Sequence, residues 1–423
     1  MKGKLSKWMG FLAVFAMVAA ACSPSGGDAT DTTEAPTATD APAGTDAPAG
    51  TDAPGATTGG GDEGASMPGE GVEVTMGRAD WSTGYFQSYI YQALLEELGY
   101  TVSDPADLEV GPALGYLSMA QGDFDFWVNS WYPGHLSWFE PELPDGTFVG
   151  EHLVVYGPAP EAAGEYVTAF TGDPGEMIAG GLQGFLITKA FAEEYGITTM
   201  DEFNANADAI AAYDAQDPSP NNGFADIYGC QESFTCDNII LNQIAFSGWD
   251  NIQQAIAGYD AMFAEATAKA NDGAPMIIYT WTPSAYITEL RPNDNVLWLG
   301  VDEVLDDSNP AGEDGGENHS QLPGTANIGE DSCPSAADKG TCQLGWIAAD
   351  ILVTANSVFA EANPAAAALF AQVVLSVLDV SLANVQQAAG ADTNEAIRDL
   401  ADGWIVTNRD LVDEWLAAAR AAG

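Results

Sequence analysis

The pattern of apolar and polar positions divides the chain beyond residue 67 into short strands that alternate with helices. Residues 71–76 alternate as a strand does, and 85–98 repeat apolar side chains at helical spacing before Gly99, which can end a helix. Further strands are predicted at 101–102, 124–128, 184–188, 276–279, 296–299 and 351–353, and further helices at 114–121, at 189–195, after Asn363-Pro364, and around Ile397 and Leu411. This alternation predicts an α/β fold with a mostly parallel sheet.

The length of the folded part predicts two lobes. Residues 67–423 are too many for one small core. The order of elements predicts that the chain crosses between lobes near residues 185 and 300. Lobe 1 would then comprise 67–185 and 300–423, lobe 2 would comprise 186–299, and a hinged cleft would separate them.

Residues 1–22 predict an export signal. Three lysines precede an apolar run at 8–21, which is too short for a membrane-spanning helix. The run ends in three alanines and Cys22, which resembles a bacterial lipobox, although Ala19 stands where Leu is usual. We expect lipid on Cys22 and an extracytoplasmic, membrane-anchored protein. An ordinary cleaved signal with an incidental cysteine is the alternative.

Residues 23–66 predict a tether. They are almost all Ala, Thr, Asp, Gly, Pro and Ser, with a repeating Thr-Asp-Ala-Pro. Such a segment cannot bury enough apolar surface to offset the entropy of ordering. As a flexible coil its mean reach is roughly 35–40 Å, which would hold the folded part just off a membrane.

The charge of the chain limits the partners it can have. The formal net charge is −51, and only eight of the Lys and Arg residues follow Met67, so the folded part itself is acidic. This balance argues against binding to nucleic acid and against electrostatic attraction to anionic lipid. It is typical of a solvated, salt-tolerant surface.

Four cysteines follow Cys22. An exported chain meets an oxidising compartment, and an even number of cysteines suggests disulfides. Of the three possible pairings, Cys230 with Cys236 and Cys333 with Cys342 is the simplest, because each pair closes a short loop rich in turn residues. A zinc site is the alternative, but neither pair has two-residue ligand spacing and no histidine is close in sequence.

Two Trp-x-Pro steps, at 131–133 and 281–283, suggest a binding site. The residue before a proline tends to be extended or in a turn, so Trp131 and Trp281 can present their indole faces to a cleft. Two such faces suit a ligand that donates no hydrogen bonds, above all a quaternary ammonium held by cation–π attraction. Burial of both tryptophans in the core is the alternative.

Five segments together resemble the substrate-binding proteins of glycine betaine/proline betaine ABC importers. The resemblance covers nearly everything from about Gly69 to the C-terminus. Its segments are 94–102, Gly122-Asp123 with 131–135, the Cys-x5-Cys loop at 230–236, 279–283 followed by 289–292, and 362–367. The resemblance implies a two-lobed periplasmic-binding-protein-like fold of type II with the ligand in the interlobe cleft.

The resemblance also implies an aromatic cage around a trimethylammonium head. Trp131 and Trp281 match two of the three tryptophans of the family. The third normally lies inside the Cys-x5-Cys loop, where this chain has Phe234, a weaker cation–π partner. Trp81, in the loop after the first strand, could supply a further wall and offset Phe234.

The resemblance also implies three hydrogen-bond donors for the carboxylate of a ligand. His135 stands at the family's histidine position. The backbone N–H groups of Thr235 and Cys236, held by the Cys230–Cys236 disulfide, could form an anion nest.

The resemblance implies an importer permease as partner, and we expect a monomer without cofactor or metal. Catalysis has no support from motifs, since there is no Gly-x-Ser-x-Gly, His-Glu-x-x-His or phosphate-binding loop. A secreted hydrolase using paired carboxylates and an adhesion or structural lipoprotein stay as alternatives. Within the binding class, choline and the sulfonium analogue of betaine are alternatives to glycine betaine and proline betaine.

Overall fold

The computed structural model describes residues 67–132, 134–156, 181–302, 328–346 and 348–423. The predicted export signal, Cys22 and the predicted tether lie outside the described residues. In the described ranges, no helix is long and apolar enough to cross a membrane.

Strands and short helices alternate through the described residues. The strands are β1 Glu73–Val74, β2 Met76–Ala79, β3 Thr101–Val102, β4 Glu109–Val110, β5 Phe126–Tyr132, β6 Leu153–Tyr156, β7 Leu182–Thr188, β8 Ala225–Tyr228, β9 Ile252–Ala255, β10 Ile277–Thr282, β11 Val296–Leu299 and β12 Asp350–Asn356. Short 3-10 helices lie at Ser82–Gly84, Pro105–Asp107, Gly134–Phe139 and Val149–His152.

The α-helices include each helix that the sequence predicted, and the seven described helices between residues 200 and 362 were not predicted. The α-helices are α1 Tyr85–Glu97, α2 Pro112–Gln121, α3 Lys189–Tyr195, α4 Met200–Ala205, α5 Ala207–Asp214, α6 Cys236–Phe246, α7 Tyr259–Asp272, α8 Tyr286–Glu289, α9 Ala336–Lys339, α10 Ser357–Ala362, α11 Pro364–Phe370, α12 Val377–Ala388, α13 Asn394–Thr407 and α14 Arg409–Ala422. Gly99 follows α1 with a φ of 95°, a conformation that favours glycine and ends the helix as predicted.

Two five-stranded sheets form the centres of two lobes. Lobe 1 has the strand order β4-β2-β5-β12-β6, and lobe 2 has the order β11-β7-β10-β8-β9. The α/β, two-lobed fold is therefore confirmed. The expectation of mostly parallel sheets is wrong, because both sheets are mixed: β12 runs antiparallel to β5 and β6, and β7 runs antiparallel to β10 and β11. Since β7 and β12 are reached by crossing from the other lobe, no βαβ unit fixes their direction.

The crossings lie at other positions than the predicted 185 and 300. β7 already begins at Leu182, so a boundary at 185 would cut a strand. On the return, the backbone N–H groups of Trp298 and Val301 donate to Ser332 and Gln343, each at 2.8 Å. The segment with the Cys333–Cys342 disulfide thus covers the outer edge of β11 in lobe 2, and the chain enters the lobe 1 sheet only with β12.

Residues just before β7 and just before β12 meet where the chain passes between the lobes. Gly181 and Ala349 exchange backbone hydrogen bonds of 3.0 and 2.8 Å. A Cβ at Gly181 would lie 2.9 Å from the Trp131 ring, so only glycine fits between that ring and the neighbouring strand.

The C-terminal helices return to lobe 1, as expected from the sequence. Arg409 of α14 holds Glu97 of α1 with two bonds of 2.8 and 2.7 Å, and Arg398 of α13 bonds Glu96 at 2.9 Å. These partly exposed pairs contribute little stability individually, and the buried apolar residues of both helices supply the larger share. Those residues are Ile397, Ala401, Ile405, Val412, Trp415, Leu416 and Ala419.

Candidate functional site

A cavity of about 460 Å³, counted to its open mouth, lies between the two lobes. Lobe 1 and lobe 2 both line it, with Trp81, Pro112, Trp131, Gly134, His135, Gln183, Phe234, Thr235, Cys236, Ile239, Tyr279 and Trp281. The structure therefore brings together all seven ligand-binding candidates from the sequence: Trp81, Trp131, His135, Phe234, Thr235, Cys236 and Trp281.

Trp131 and Trp281 reach the cavity from the ends of two strands. Trp131 is the penultimate residue of β5, and Trp281 is the penultimate residue of β10. The sequence predicted that each would lie on a turn, which is wrong: the strand continues through the tryptophan, and the proline follows the strand. Both indoles are nearly buried, with 7% and 4% of their surface exposed.

The indole N–H groups at the cavity are all bound by the protein itself. The Nε1–H groups of Trp81 and Trp131 both donate to Oδ1 of Asn129, at 2.8 and 2.9 Å. Nε1–H of Trp281 donates to Oγ1 of Thr83 at 3.3 Å. The polar edges of the three rings are thus satisfied, and what the rings offer a ligand is aromatic surface.

Phe234 lies between an aromatic residue of each lobe. Its ring centroid is 5.1 Å from that of Trp81 and 6.2 Å from that of Trp281, with both pairs edge-to-face. Such pairs are favourable beyond the area they bury. Trp81 occupies the space beside Phe234, and its role as a further wall for a ligand stays a prediction.

Several residues that line the cavity were not predicted from the sequence, and of these Gln183 and Tyr279 are polar. Tyr279 precedes Trp281 by two positions on β10 and so faces the same side of the sheet. Gln183 lies opposite Trp281 in the antiparallel β7–β10 pair, and the Tyr279 hydroxyl donates to its Oε1 at 2.7 Å. The alternation of side chains along β10 could have identified Tyr279 as a lining residue from the sequence. Gln183 can be identified only once the pairing of β7 with β10 is known.

His135 lines the cavity as a neutral imidazole. Its Nδ1 lies 3.1 Å from the backbone nitrogen of Trp131 and 2.9 Å from the hydroxyl of Tyr116. Since a backbone N–H can only donate, Nδ1 accepts and the proton is on Nε2. Burial lowers the pKa of His135 to about 3, so the ring is uncharged at neutral pH.

The N-terminus of α6 forms the other polar wall. Cys236 is the first residue of this helix, and its disulfide to Cys230, with Cα atoms 5.8 Å apart, fixes the preceding loop. In the described part of the chain, the N–H groups of Thr235 and Cys236 have no hydrogen-bond acceptor. Free N–H groups and the helix dipole together favour an anion here.

An acid follows at once in the same helix. Burial raises the pKa of Asp237 to about 6, and the nearby Glu232 adds to the rise. Its Oδ1 is buried and has no hydrogen-bond partner among the described residues. The N-terminus of α6 therefore carries a carboxyl group that ionises only reluctantly.

Hydrogen bonds cross the cleft beside the cavity. Nε1–H of Trp138 in lobe 1 donates to Oγ1 of Thr235 in lobe 2 at 3.0 Å. In the Trp281–Thr83 bond the donor is in lobe 2 and the acceptor is in lobe 1. The lobes are thus bonded directly to each other on two sides of the site.

The cysteines form the local pairs that the sequence favoured. Cys230 bonds to Cys236 and Cys333 bonds to Cys342. Zinc ligation by these cysteines, the alternative, is inconsistent with that pairing. In the described ranges no group of three or more His, Cys, Asp or Glu residues is placed to hold a metal ion.

Comparison with solved structures supports the two-lobed fold. Lactococcal OpuAC in its closed-liganded conformation with glycine betaine matches with a TM-score of 0.51 and 13% identity, over 82% of this chain and 99% of that one. An ABC-transporter choline-binding protein in complex with choline matches with a TM-score of 0.52 and 15% identity, over 82% and 96%. At these identities the likeness concerns the fold.

Sequence comparison extends over nearly the whole folded part. The glycine betaine-binding periplasmic protein OusX of Dickeya dadantii (strain 3937) is 29% identical over 84% of this chain and 92% of its own length. The glycine betaine/proline betaine-binding periplasmic protein of Escherichia coli (strain K12) is 29% identical over 85% and 93%. That of Salmonella typhimurium (strain LT2) is 28% identical over the same shares.

The family model that describes the substrate-binding domain of the ABC-type glycine betaine transport system matches residues 72–406. Members of this family are binding components of transporters and not enzymes. The predicted resemblance is confirmed, and the chain belongs to the family of substrate-binding domains of ABC-type glycine betaine transport systems.

Proposed function

We propose that the protein captures a small zwitterion with a quaternary ammonium head, of the glycine betaine or proline betaine type, and delivers it to the permease of an ABC importer. The observation that carries this proposal is the bonding of the cavity's indole N–H groups to Asn129 and Thr83. A site that presents ring faces and few acceptors suits a cation that has no N–H to donate.

The ammonium head would lie among Trp81, Trp131, Phe234 and Trp281. Each aromatic face contributes ~0.5–2 kcal/mol of cation–π attraction, with the larger values in a desolvated site. Because the lobes contribute rings from opposite sides, the cation would be enclosed only when the lobes are together. Binding and closure would thus be coupled.

The carboxylate of the ligand would lie against His135 and the N-terminus of α6. Nε2–H of the neutral histidine and the N–H groups of Thr235 and Cys236 supply donors without a full positive charge. A carboxylate in such a place is stabilised by directed hydrogen bonds and by the helix dipole. This arrangement favours betaines over choline, which has a hydroxyl in place of the carboxylate.

A calorimetric panel of glycine betaine, proline betaine, choline, the sulfonium analogue of betaine and glycine tests the proposal. Glycine is the matched control, since it keeps the carboxylate but replaces three methyl groups with N–H donors that the cage cannot accept. We expect the betaines to bind most tightly, choline more weakly and glycine at least about 100-fold more weakly, because each N–H donor left without an acceptor in the cage costs about 1–3 kcal/mol. Tight glycine binding, or no binding of any quaternary ammonium compound, would overturn the proposal.

Export and anchoring complete the proposed function. The signal-like residues 1–21, the lipobox-like Cys22 and the tether composition of 23–66 support a lipid-anchored monomer on the outer side of the cell membrane. The curated relatives carry "periplasmic" in their names, which supports a site of action outside the cytoplasm. Mass spectrometry of the mature protein would find lipid on an N-terminal Cys22, and an unmodified N-terminus elsewhere in the leader would exclude the anchor. Light scattering of the purified protein, with and without betaine, tests the monomer.

A further inference from the structure

Asn129 lies behind the cavity and bonds to two of its aromatic walls. It belongs to β5, two positions before Trp131, and its surface is 1% exposed. Its Oδ1 accepts the indole N–H of Trp131 from its own strand and that of Trp81 from a loop 48 residues earlier. One oxygen therefore joins two rings from separate parts of the fold.

Of the two polar atoms of the Asn129 side chain, only Oδ1 has hydrogen-bond partners among the described residues. An indole N–H can only donate, so the amide must present its oxygen, whose two lone pairs suffice for both rings. The Nδ2 group is buried and has no hydrogen-bond partner among the described residues. An unsatisfied buried donor is costly, so a residue chosen merely to fill this space would be apolar.

The loop that carries Trp81 is shaped to reach Asn129. A Cβ at Gly84 would lie 3.2 Å from Cγ of Asn129, a spacing that demands a small residue in this loop. The same loop supplies Thr83, which accepts the indole N–H of Trp281 from lobe 2. Asn129 and Thr83 thus accept the indole N–H groups of all three tryptophans, Trp81, Trp131 and Trp281.

We infer that Asn129 is a positioning residue that fixes Trp81 and Trp131 as one rigid corner of the ligand cage, with Trp81 serving as the wall that Phe234 only partly provides. This inference rests on the proposed function for its effect on ligand affinity. The anchoring of the two indoles itself needs no ligand to be observed.

Two variants separate positioning from mere packing. Asn129→Leu keeps the approximate shape and removes the acceptor, whereas Asn129→Asp keeps an acceptor oxygen. Gln387→Leu is the matched control, because Gln387 is a buried amide of lobe 1 whose polar atoms have no hydrogen-bond partner in the described ranges. Trp81→Phe is a further variant that removes one of the two bonds and keeps an aromatic wall.

The indole Nε1–H resonances of 15N-tryptophan-labelled protein provide the first readout. Asn129→Leu should shift the resonances of Trp81 and Trp131, assigned from Trp81→Phe and Trp131→Phe, and speed their exchange with solvent. Asn129→Asp should leave both hydrogen-bonded, and Gln387→Leu should change neither. Unchanged resonances in Asn129→Leu would overturn the inference, whether or not any ligand binds.

Affinity for glycine betaine by calorimetry provides the second readout. We expect a loss of about tenfold or more for Asn129→Leu, from two hydrogen bonds, a smaller loss for Trp81→Phe and a value within about threefold of the wild type for Asn129→Asp. Equal losses in the Leu and Asp variants, or wild-type affinity in Asn129→Leu, would overturn the positioning role. If the wild type binds no quaternary ammonium compound, the proposed function fails, and the resonances still decide whether Asn129 anchors the indoles. Should Asn129→Leu not fold, Trp81→Phe and Asn129→Asp carry the same comparison.

Discussion

Replacing Phe234 with tryptophan probes how the cage of this chain is built. The resemblance noted from the sequence implies a tryptophan at this position in related proteins, so Phe234→Trp would strengthen a cage that merely lacked its third indole. In this structure, however, the ring of Trp81 lies 5.1 Å from Phe234, and the ring of Trp281 lies 6.2 Å away on the other side. The larger indole would therefore meet a space that is already filled.

The magnitude follows from two opposing effects. Overpacking a filled site costs about 1–3 kcal/mol, because side chains and backbone must shift. A better cation–π face gains at most about 1 kcal/mol over phenylalanine in a partly desolvated site. We expect Phe234→Trp to weaken betaine binding by about 1–2 kcal/mol, or roughly 5–30-fold.

Trp81→Ala supplies the partner variant. Alone, it should weaken binding by about 1–3 kcal/mol through lost packing and a lost aromatic face. In the double variant Trp81→Ala/Phe234→Trp, the new indole can use the vacated space, and affinity should return to within about threefold of the wild type. The two changes are in contact, so their effects should be strongly non-additive.

Isothermal titration calorimetry of the four proteins with glycine betaine measures the coupling. Thermal melts of the same proteins separate lost binding from lost stability. An additive cycle would show that Trp81 and position 234 do not share the site. Tighter binding by Phe234→Trp alone would show that the space beside Phe234 is open and would refute the reasoning.

Four further predictions concern single groups. Trp281→Ala should weaken betaine binding by about 1–3 kcal/mol in calorimetry, while the control Trp404→Ala, outside the cavity, should not. In the Asp237→Asn background, which removes the carboxyl group with a pKa of about 6, betaine affinity should stay flat between about pH 8 and pH 5, since His135 with a pKa of about 3 stays neutral there; an affinity that falls in that background as pH rises through about 6.5 would indicate a charged histidine. Folding raises the pKa of Asp237 from 3.8 to about 6, so this group costs stability above pH 6; in thermal melts, Asp237→Asn should raise Tm by a few degrees near pH 7.5, and the gain should vanish near pH 4. Reduction of the Cys230–Cys236 disulfide should lower the free energy of betaine binding by more than it lowers the free energy of unfolding, because the bond shapes the loop before α6. Equal losses in the two free energies would assign the bond to folding alone.

The local pattern of the sequence was enough for most elements but not for their arrangement. The helical spacing at 85–98 and Gly99 predicted α1 to within a residue of its end. Strand direction was missed because β12 and β7 pair with strands that are distant in sequence, and no local signal marks an antiparallel partner. The return crossing was placed too early because the segment around Cys333 covers β11 through backbone bonds, which side-chain patterns do not report.

The residues of the site likewise fall into those that the sequence predicted and those that it did not. Trp131, Trp281 and His135 were found because their motifs resemble a family, and Tyr279 was within reach of the strand period. Asn129 was not, because its role depends on a contact between β5 and the distant Trp81 loop. A single buried asparagine in a strand has no distinctive pattern, and only the fold reveals that its oxygen serves two rings.

The hydrogen bonds from Trp138 to Thr235 and from Trp281 to Thr83 have a consequence for how affinity can change. A protein that binds ligand only with its lobes together has an apparent dissociation constant equal to the intrinsic one divided by the fraction of molecules already shut. Bonds between the lobes raise that fraction without touching the ligand. Thr235→Val removes the acceptor for Trp138 and keeps the backbone N–H, so it should shift the concentration at which the protein fills by a similar factor for every ligand, whereas a change at Thr83 also releases the Trp281 ring.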